Sequence, residues 1–147
     1  MTTDRKRAVI VPCSGIGKTY GSVSREAAYL VVEDLRPEAT QLVALSELVL
    51  GDEAARAAVA ASPAVTIDGC KLACATKMVK QSGGAIAQDF AVLDAYRRYR
   101  DFKPQGIAEL NEGGLKLARA LAEEIASLLD SLVSPSGRDR TEVLENA

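Results

Sequence analysis

Residues 8–13 are AVIVPC, and this short stretch decides how the rest of the chain is interpreted. Its four apolar residues end at Pro12, and a loop with two glycines follows, CSGIGK. A fully apolar run of this length that ends in such a loop is typical of a strand buried in a parallel sheet. The sequence therefore predicts a strand over 8–11, with Cys13 just past its carboxyl end.

Further apolar runs alternate with segments of helical spacing, which is the pattern of βαβ units around a parallel sheet. The segment 40–50 fits either strand or helix, and its position after a helix and a proline-containing turn favours a strand. We predict an α/β fold of two or three layers, with a mostly parallel four-stranded sheet, helices between the strands and a long C-terminal helix. The predicted strands are 8–11, 41–45, 64–67 and 86–93, and the predicted helices are 24–35, 53–61, 71–80 and 114–133, with a polar loop over 96–113.

For two of the predicted helices, the sequence also predicts an N-cap or the residues that face inward. Ser24 stands directly before REAAYLVVEDL and has the chemistry of a helix N-cap. In the helix over 71–80, the helical spacing turns Leu72, Ala75 and Val79 inward, and Met78 lies near the same face.

Length and composition indicate a single globular domain. The chain has 147 residues, of which 48% are hydrophobic and 26% charged, an ordinary balance for a folded protein. We predict one domain over 1–133 and a flexible tail over 134–147, where the periodicity is lost.

Several classes of function are excluded by charge and by the absence of one residue type. The formal net charge of −2 and the lack of a basic stripe argue against nucleic-acid binding. No apolar run approaches about 20 residues, and the first one is too short for a signal peptide, so we expect a cytoplasmic protein without a membrane span. The chain contains no histidine, which excludes Ser-His-Asp and Cys-His catalysis and any imidazole ligand to zinc.

The three cysteines all follow predicted strands. Cys13 follows the first strand, Cys70 follows the third, and Cys74 is four residues further along the predicted helix. The carboxyl ends of parallel strands share one edge, where ligands bind in open α/β sheets, and an i, i+4 pair shares one helix face. A helix N-terminus also favours a thiolate. We therefore expect the three sulfurs to form one site, with Asp68 as a helix cap, an orienting group or a further metal ligand.

The fragment GIGKT at 15–19 resembles part of a phosphate-binding loop. The full pattern requires a glycine five residues before the Gly-Lys pair, and that position is Pro12, which has no backbone N–H. We therefore do not expect nucleotide hydrolysis. A small anion could still bind the loop, for which the candidates are Ser14, Gly15, Gly17 and Lys18.

The motifs PCSGIGKTYGSVSREAAY and TIDGCKLACATK together resemble the DGC-domain family, proposed to bind zinc and named for the tripeptide found here at Asp68-Gly69-Cys70. The resemblance implies a small α/β domain in which Cys13, Cys70 and Cys74 are zinc ligands. The family is described with four potential chelating cysteines, whereas this chain has three. A closed four-cysteine site is therefore impossible within one chain, and the fourth ligand is left to Asp68, water, a substrate or a second chain.

Three functions follow from these residues, and whether the protein is an enzyme is left open. The first is a zinc protein with an open coordination position; a [4Fe–4S] cluster for sulfur or electron transfer is its rival, because the same thiolates hold both. The second is metal-free thiol redox or sulfur-transfer chemistry. The third is an accessory module, in which the long C-terminal helix contacts a second copy or a larger enzyme. The expected ligands are a metal ion and a small anionic or sulfur-containing molecule.

Overall fold

The computed structural model describes residues 7–15 and 17–132. Within this part of the chain, four strands form one parallel sheet in the order β2-β1-β3-β4. The strands are β1 (Ala8–Pro12), β2 (Thr40–Leu42), β3 (Ala64–Asp68) and β4 (Ile86–Ala91). The helices are α1 (Thr19–Tyr29), α2 (Leu45–Leu50), α3 (Glu53–Ala61), α4 (Cys74–Gln81), α5 (Val92–Arg98) and α6 (Glu112–Leu132), with a π-helical segment at Leu30–Leu35 and a 3-10 turn at Arg100–Phe102.

The strand β1 is central, as its apolar sequence predicts. All five of its residues are buried, and Ile10 lies opposite Leu42 of β2 on one side and Val65 of β3 on the other. A strand with neighbours on both edges and helices on both faces has no polar environment for any side chain, which explains the unbroken AVIV run.

Helices cover both faces of the sheet, so the fold has three layers. One face of β1 and β3 packs against α1, α5 and α6, in a core that includes Ile10, Ile67, Val23, Val92 and Leu121. The opposite face packs against α2, α3 and α4, in a second core built on Val9, Val11, Leu48, Val59 and Val79.

The first helix begins earlier than predicted, and the assignment of Ser24 as its N-cap is wrong. The helix α1 starts at Thr19, so Ser24 lies inside it, fully buried. Its hydroxyl donates a hydrogen bond to the carbonyl oxygen of Ile67, 2.7 Å away. Ser24 therefore joins α1 to the end of β3 instead of starting a helix. The helical path continues through the π-helical segment Leu30–Leu35, close to the predicted end.

The ambiguous segment 40–50 contains both kinds of structure. The strand β2 covers Thr40–Leu42, shorter than the predicted 41–45, and α2 takes the remainder from Leu45. The Glu47 carboxylate accepts the backbone N–H of Ala44, which favours the helical start. The second predicted helix, over 53–61, is confirmed at α3, where the Asp52 side chain accepts the N–H of Ala55.

The fourth helix begins three residues later than predicted, at Cys74. Ala75 and Val79 are buried and Met78 is partly buried, as expected. Leu72 is 63% exposed, so its inward assignment is wrong; it precedes the helix and does not share its apolar face.

The C-terminal third differs from the prediction in its boundaries. The strand β4 ends at Ala91, because residues 92–98 form α5, and this helix and the 3-10 turn occupy part of the predicted loop over 96–113. The long helix α6 begins at Glu112, two residues early. The predicted tail over 134–147 lies outside the described residues. In the part of the chain that is described, no helix combines the length and hydropathy needed to cross a membrane.

Candidate thiol site

Two connections at the carboxyl edge of the sheet carry the three cysteines. We call residues 13–18, between β1 and α1, the glycine loop, and residues 69–74, from the end of β3 to the start of α4, the cysteine turn. The two meet directly, because β1 and β3 are neighbours. The N–H of Cys13 donates to the Ile67 carbonyl at 2.9 Å, and the N–H of Gly69 donates to the Cys13 sulfur at 3.2 Å.

All three cysteines line one cavity of about 190 Å³ at this junction. They are free thiols that differ in exposure: Cys13 is 7% exposed, Cys70 is half-buried, and Cys74 is exposed. Within residues 7–15 and 17–132, no three cysteine, aspartate or glutamate side chains are arranged so that they could hold a metal ion. The fold thus brings the thiols to one cavity without assembling them into a coordination geometry.

The prediction that Cys70 and Cys74 share one face of a helix is wrong. Cys70 lies in a turn before α4, closed by a hydrogen bond from the Ala73 N–H to the Cys70 carbonyl. Ala73 has a left-handed backbone with φ of 53°, which breaks the helical path between the two cysteines. They reach the same cavity through this turn instead of sharing a helix face.

Asp68 lies at the end of β3 and is 5% exposed. One carboxylate oxygen accepts the N–H of Ala75 at 2.7 Å, and the other accepts the N–H of Thr76 at 3.2 Å and its hydroxyl at 2.7 Å. These donors belong to the first turn of α4, which otherwise has no side-chain cap. Asp68 thus joins β3 to α4 and orients the cysteine turn between them.

Burial raises the pKa of the Cys13 thiol above its ordinary value, and the nearby Asp68 carboxylate raises it further. The hydrogen bond from Gly69 and the nearby Ser24 hydroxyl act in the opposite direction without cancelling the effect of burial. This direction is the reverse of the thiolate-favouring field expected at the sheet edge. A cation that binds the sulfur must therefore displace a proton.

The proposed anion-binding residues of the glycine loop are only partly brought together. Ser14, Gly15 and Lys18 line the cavity of the cysteines, whereas Gly17 is exposed and does not line it. The Lys18 N–H donates to the Gly15 carbonyl, which removes one amide from any anion cradle. The loop is packed tightly against α1, because a Cβ on Gly15 would lie 2.1 Å from the Cα of Gly21.

Arg25 is a residue of this region that the sequence did not single out. Its guanidinium donates to the Ser14 carbonyl and, at 3.2 Å, to the Ser22 hydroxyl. With a helix start at Ser24, Arg25 would have been a first-turn surface residue. Only the earlier start of α1 brings its side chain back to the glycine loop, and no local pattern in the sequence carried that information.

Of three comparisons with known proteins, one gives a match. Neither the curated proteins nor the solved structures contain a match to this chain. The family model for the DGC domain matches residues 9–113, a span that includes the glycine loop, the DGC tripeptide and all three cysteines. The match covers well over half of the chain, and the protein belongs to the DGC domain family.

Proposed function

We propose that the protein binds a thiophilic metal ion, zinc in the first place, through Cys13, Cys70 and Cys74. The observation that carries the proposal is that all the cysteines of the chain, from two separate strand ends, line a single cavity. Three buried cysteines scattered through a core would be explained as small apolar residues, but one cavity wall that collects all three is typical of a ligand set.

The chemistry and the position of the three cysteines both suit a soft metal ion. Cysteine sulfur is a preferred zinc ligand, and the chain has no histidine to compete with it. Asp68 is a weak candidate for the fourth ligand, because both of its oxygens already accept hydrogen bonds from α4. A fourth position would then fall to water, a bound molecule or a group from a second chain.

The surrounding residues determine how the ligands would act. The Gly69 N–H holds the Cys13 sulfur in place, while Cys70 and Cys74 lie on a turn whose outer residue, Leu72, is exposed. The cysteine turn would therefore close toward Cys13 to complete the set. A zinc ion with an open position supplies Lewis-acid chemistry to whatever molecule enters the cavity.

The test is metal analysis of protein purified without oxygen, together with its absorption spectrum. We expect one zinc per chain and stoichiometric loss of zinc in Cys13→Ser, Cys70→Ser and Cys74→Ser. Ser46→Ala, an exposed residue near Leu45 of the same cavity, is the control that should keep its metal. A brown protein with broad visible absorption would replace zinc by the [4Fe–4S] alternative, and full metal retention in all three cysteine variants would refute the shared site.

Metal-free thiol chemistry is the second candidate, favoured by one specific observation. The three thiols share a cavity but are not arranged for coordination among the described residues. If the purified protein holds no metal, mild oxidation followed by peptide mass spectrometry should give one disulfide between two of these cysteines. Three thiols that remain free after oxidation would count against this candidate.

The cellular setting and assembly complete the proposal. The cysteines are unpaired, which suits a reducing compartment such as the cytoplasm.

A second copy or a larger enzyme is one candidate source of the fourth metal ligand, and light scattering with and without zinc would detect a metal-dependent dimer. A mass that does not change with zinc would leave the fourth position to water or a small ligand. Residues 1–133 would form the functional unit, which a truncation after 133 with unchanged zinc content would support.

A further inference from the structure

The guanidinium of Arg25 has more hydrogen-bond donors than the described residues around it use. Two of its five N–H donors are engaged, by the Ser14 carbonyl and the Ser22 hydroxyl. Among the described residues it forms no ion pair with a carboxylate. A half-buried arginine with three donors unused and no ion pair among the described residues is suited to bind an anion from solution.

Arg25 and Cys13 line the same cavity, of about 330 Å³, next to the cavity that holds the three cysteines. Cys13, Ser14 and Leu45 line both. The guanidinium donates to the carbonyl of Ser14, the residue that directly follows Cys13. The volume is in the range of small-molecule sites.

The lining of the 330 Å³ cavity indicates what it could bind. Among the described residues, Arg25 is the one charged member of that lining, which is otherwise mostly apolar: Pro12, Cys13, Ser14, Tyr29, Leu42, Ala44, Leu45 and Ser46. A cation with apolar walls suits an organic anion whose hydrocarbon part lies against the walls. Because the mutual attraction is less screened than in water, the charge pairing would be strong there.

A neighbouring cavity gives a useful contrast. It has about 400 Å³, and Arg25 and Tyr29 line it as well, but Glu26 and Glu109 are also part of its wall. Two carboxylates beside one guanidinium make that side unfavourable for an anion. An anion is therefore better accommodated in the 330 Å³ cavity, which Arg25 and Cys13 both line.

We propose that Arg25 binds the carboxylate of a small organic monocarboxylate in the 330 Å³ cavity, with its apolar part along Leu42 and Leu45. One guanidinium neutralises one carboxylate, whereas a doubly charged phosphate group would keep an unpaired charge among apolar walls. The position of this ligand beside Cys13 makes it a candidate substrate of the thiol site; that further role rests on the function proposed above, but the binding of the carboxylate does not.

The experiment is an NMR titration of the isotope-labelled full chain with butyrate and with butyramide, its neutral isostere, each with and without zinc. We expect butyrate to shift the amide signals of Ser14 and Leu45 and to bind about tenfold or more tightly than butyramide. Arg25→Gln should remove this preference, and Arg25→Lys should keep part of it, since charge is retained but the planar fork is lost. Arg56→Gln removes an exposed charge on α3 and should bind butyrate as the parent does.

The outcomes separate this inference from the proposed metal site. A butyrate preference that depends on Arg25 in zinc-free protein supports the carboxylate site even if no metal ever binds. Equal binding of butyrate and butyramide to the parent chain, or unchanged butyrate affinity in a folded Arg25→Gln, would overturn it while leaving the metal proposal intact. Tighter binding of inorganic phosphate than of butyrate would also overturn it. The comparison of the two probes on the parent chain decides the matter even if Arg25→Gln does not fold.

Discussion

The glycine loop and the cysteine turn bring cysteines to the same cavity with very different degrees of constraint. The glycine loop is held by close backbone packing of Gly15 on Gly21, and its cysteine is buried. The cysteine turn exposes Leu72 and Cys74 and passes through a strained backbone at Ala73. The difference indicates that the glycine loop keeps its conformation, whereas the cysteine turn can change its conformation when a ligand binds.

The largest expected effect is that of Gly15→Ala in the glycine loop. Its Cβ would lie 2.1 Å from the Cα of Gly21, and the residue has a φ of +54°. Because backbone atoms would have to move, we expect the free energy of unfolding to fall by about 3 kcal/mol or more. Denaturant unfolding followed by circular dichroism measures this.

Gly17→Ala is the matched control for Gly15→Ala. Gly17 also has a positive φ, of +80°, but apart from its chain neighbours no described residue has an atom within 4 Å of the position of its Cβ. Only backbone strain remains, so its cost should be about 1 kcal/mol. Equal losses in the two variants would mean that packing does not fix the glycine loop, and the comparison between the two connections would fail.

The second prediction concerns Asp68, whose hydrogen bonds to the start of α4 hold the end of the cysteine turn. Asp68→Ala removes the acceptor for Ala75 and Thr76 and leaves buried N–H groups without partners. We expect a loss of about 2 kcal/mol in the free energy of unfolding and weaker zinc binding, because the start of α4 is no longer held to β3. Thermal unfolding and a zinc competition titration measure the two effects.

Asp52→Ala provides the reference for Asp68→Ala. Asp52 is an exposed cap that accepts one hydrogen bond, from Ala55 at the start of α3. Its removal should cost about 1 kcal/mol and leave zinc affinity unchanged. A smaller loss for Asp68→Ala than for Asp52→Ala would show that the cysteine turn is held by something other than this carboxylate.

The third prediction tests directly whether the cysteine turn tolerates change. Ala73→Gly relieves a left-handed backbone with φ of 53°, but it adds freedom to the unfolded chain, and the two effects nearly cancel. We expect the free energy of unfolding to change by less than about 1 kcal/mol. Lys103→Gly, at φ of 51° in a remote loop, is the control and should behave alike. A loss above about 2 kcal/mol in Ala73→Gly alone would make the cysteine turn as constrained as the glycine loop.

The sequence predicted the parallel sheet and the edge at which the cysteines lie, but not where α1 begins. The apolar runs that became β1 and β3 were found because strands buried on both faces leave a simple apolar signal. The start of α1 was missed because Ser24 has the chemistry of a cap, while its real role is a hydrogen bond to Ile67 in a distant strand. Its partner is 43 residues away in the chain, so no local pattern could reveal it.

The candidate site was predicted in the same uneven way. The sequence placed all three cysteines at the carboxyl edge of a parallel sheet, and they do line one cavity there. The turn between Cys70 and Cys74 did not, because a left-handed alanine has no signature in composition or spacing. The contact of Arg25 with Ser14 depends on where α1 begins and on how the glycine loop folds back, and both are set by tertiary packing.

The smallest expected effect comes from a pair remote from both connections and serves to separate loss of metal from loss of fold. Arg36, at the end of the π-helical segment, pairs with Asp130 on α6 at 2.7 Å, and its hydrogen bond lowers the pKa of that carboxyl. A lowered pKa stabilises the folded state above the carboxyl's ordinary value near 4, and this contribution is lost as the pH falls through the lower folded value. Asp130→Asn should therefore cost less than about 1 kcal/mol at neutral pH, because the pair is largely exposed, and nothing once the pH has fallen below the lowered folded pKa of Asp130. Thermal unfolding of the parent and the variant at a series of pH values should show the two curves converge in acid. Because the pair is remote from the cysteines, the parent and Asp130→Asn should hold the same amount of zinc. A difference in stability between the parent and Asp130→Asn that persists in strong acid would contradict this prediction.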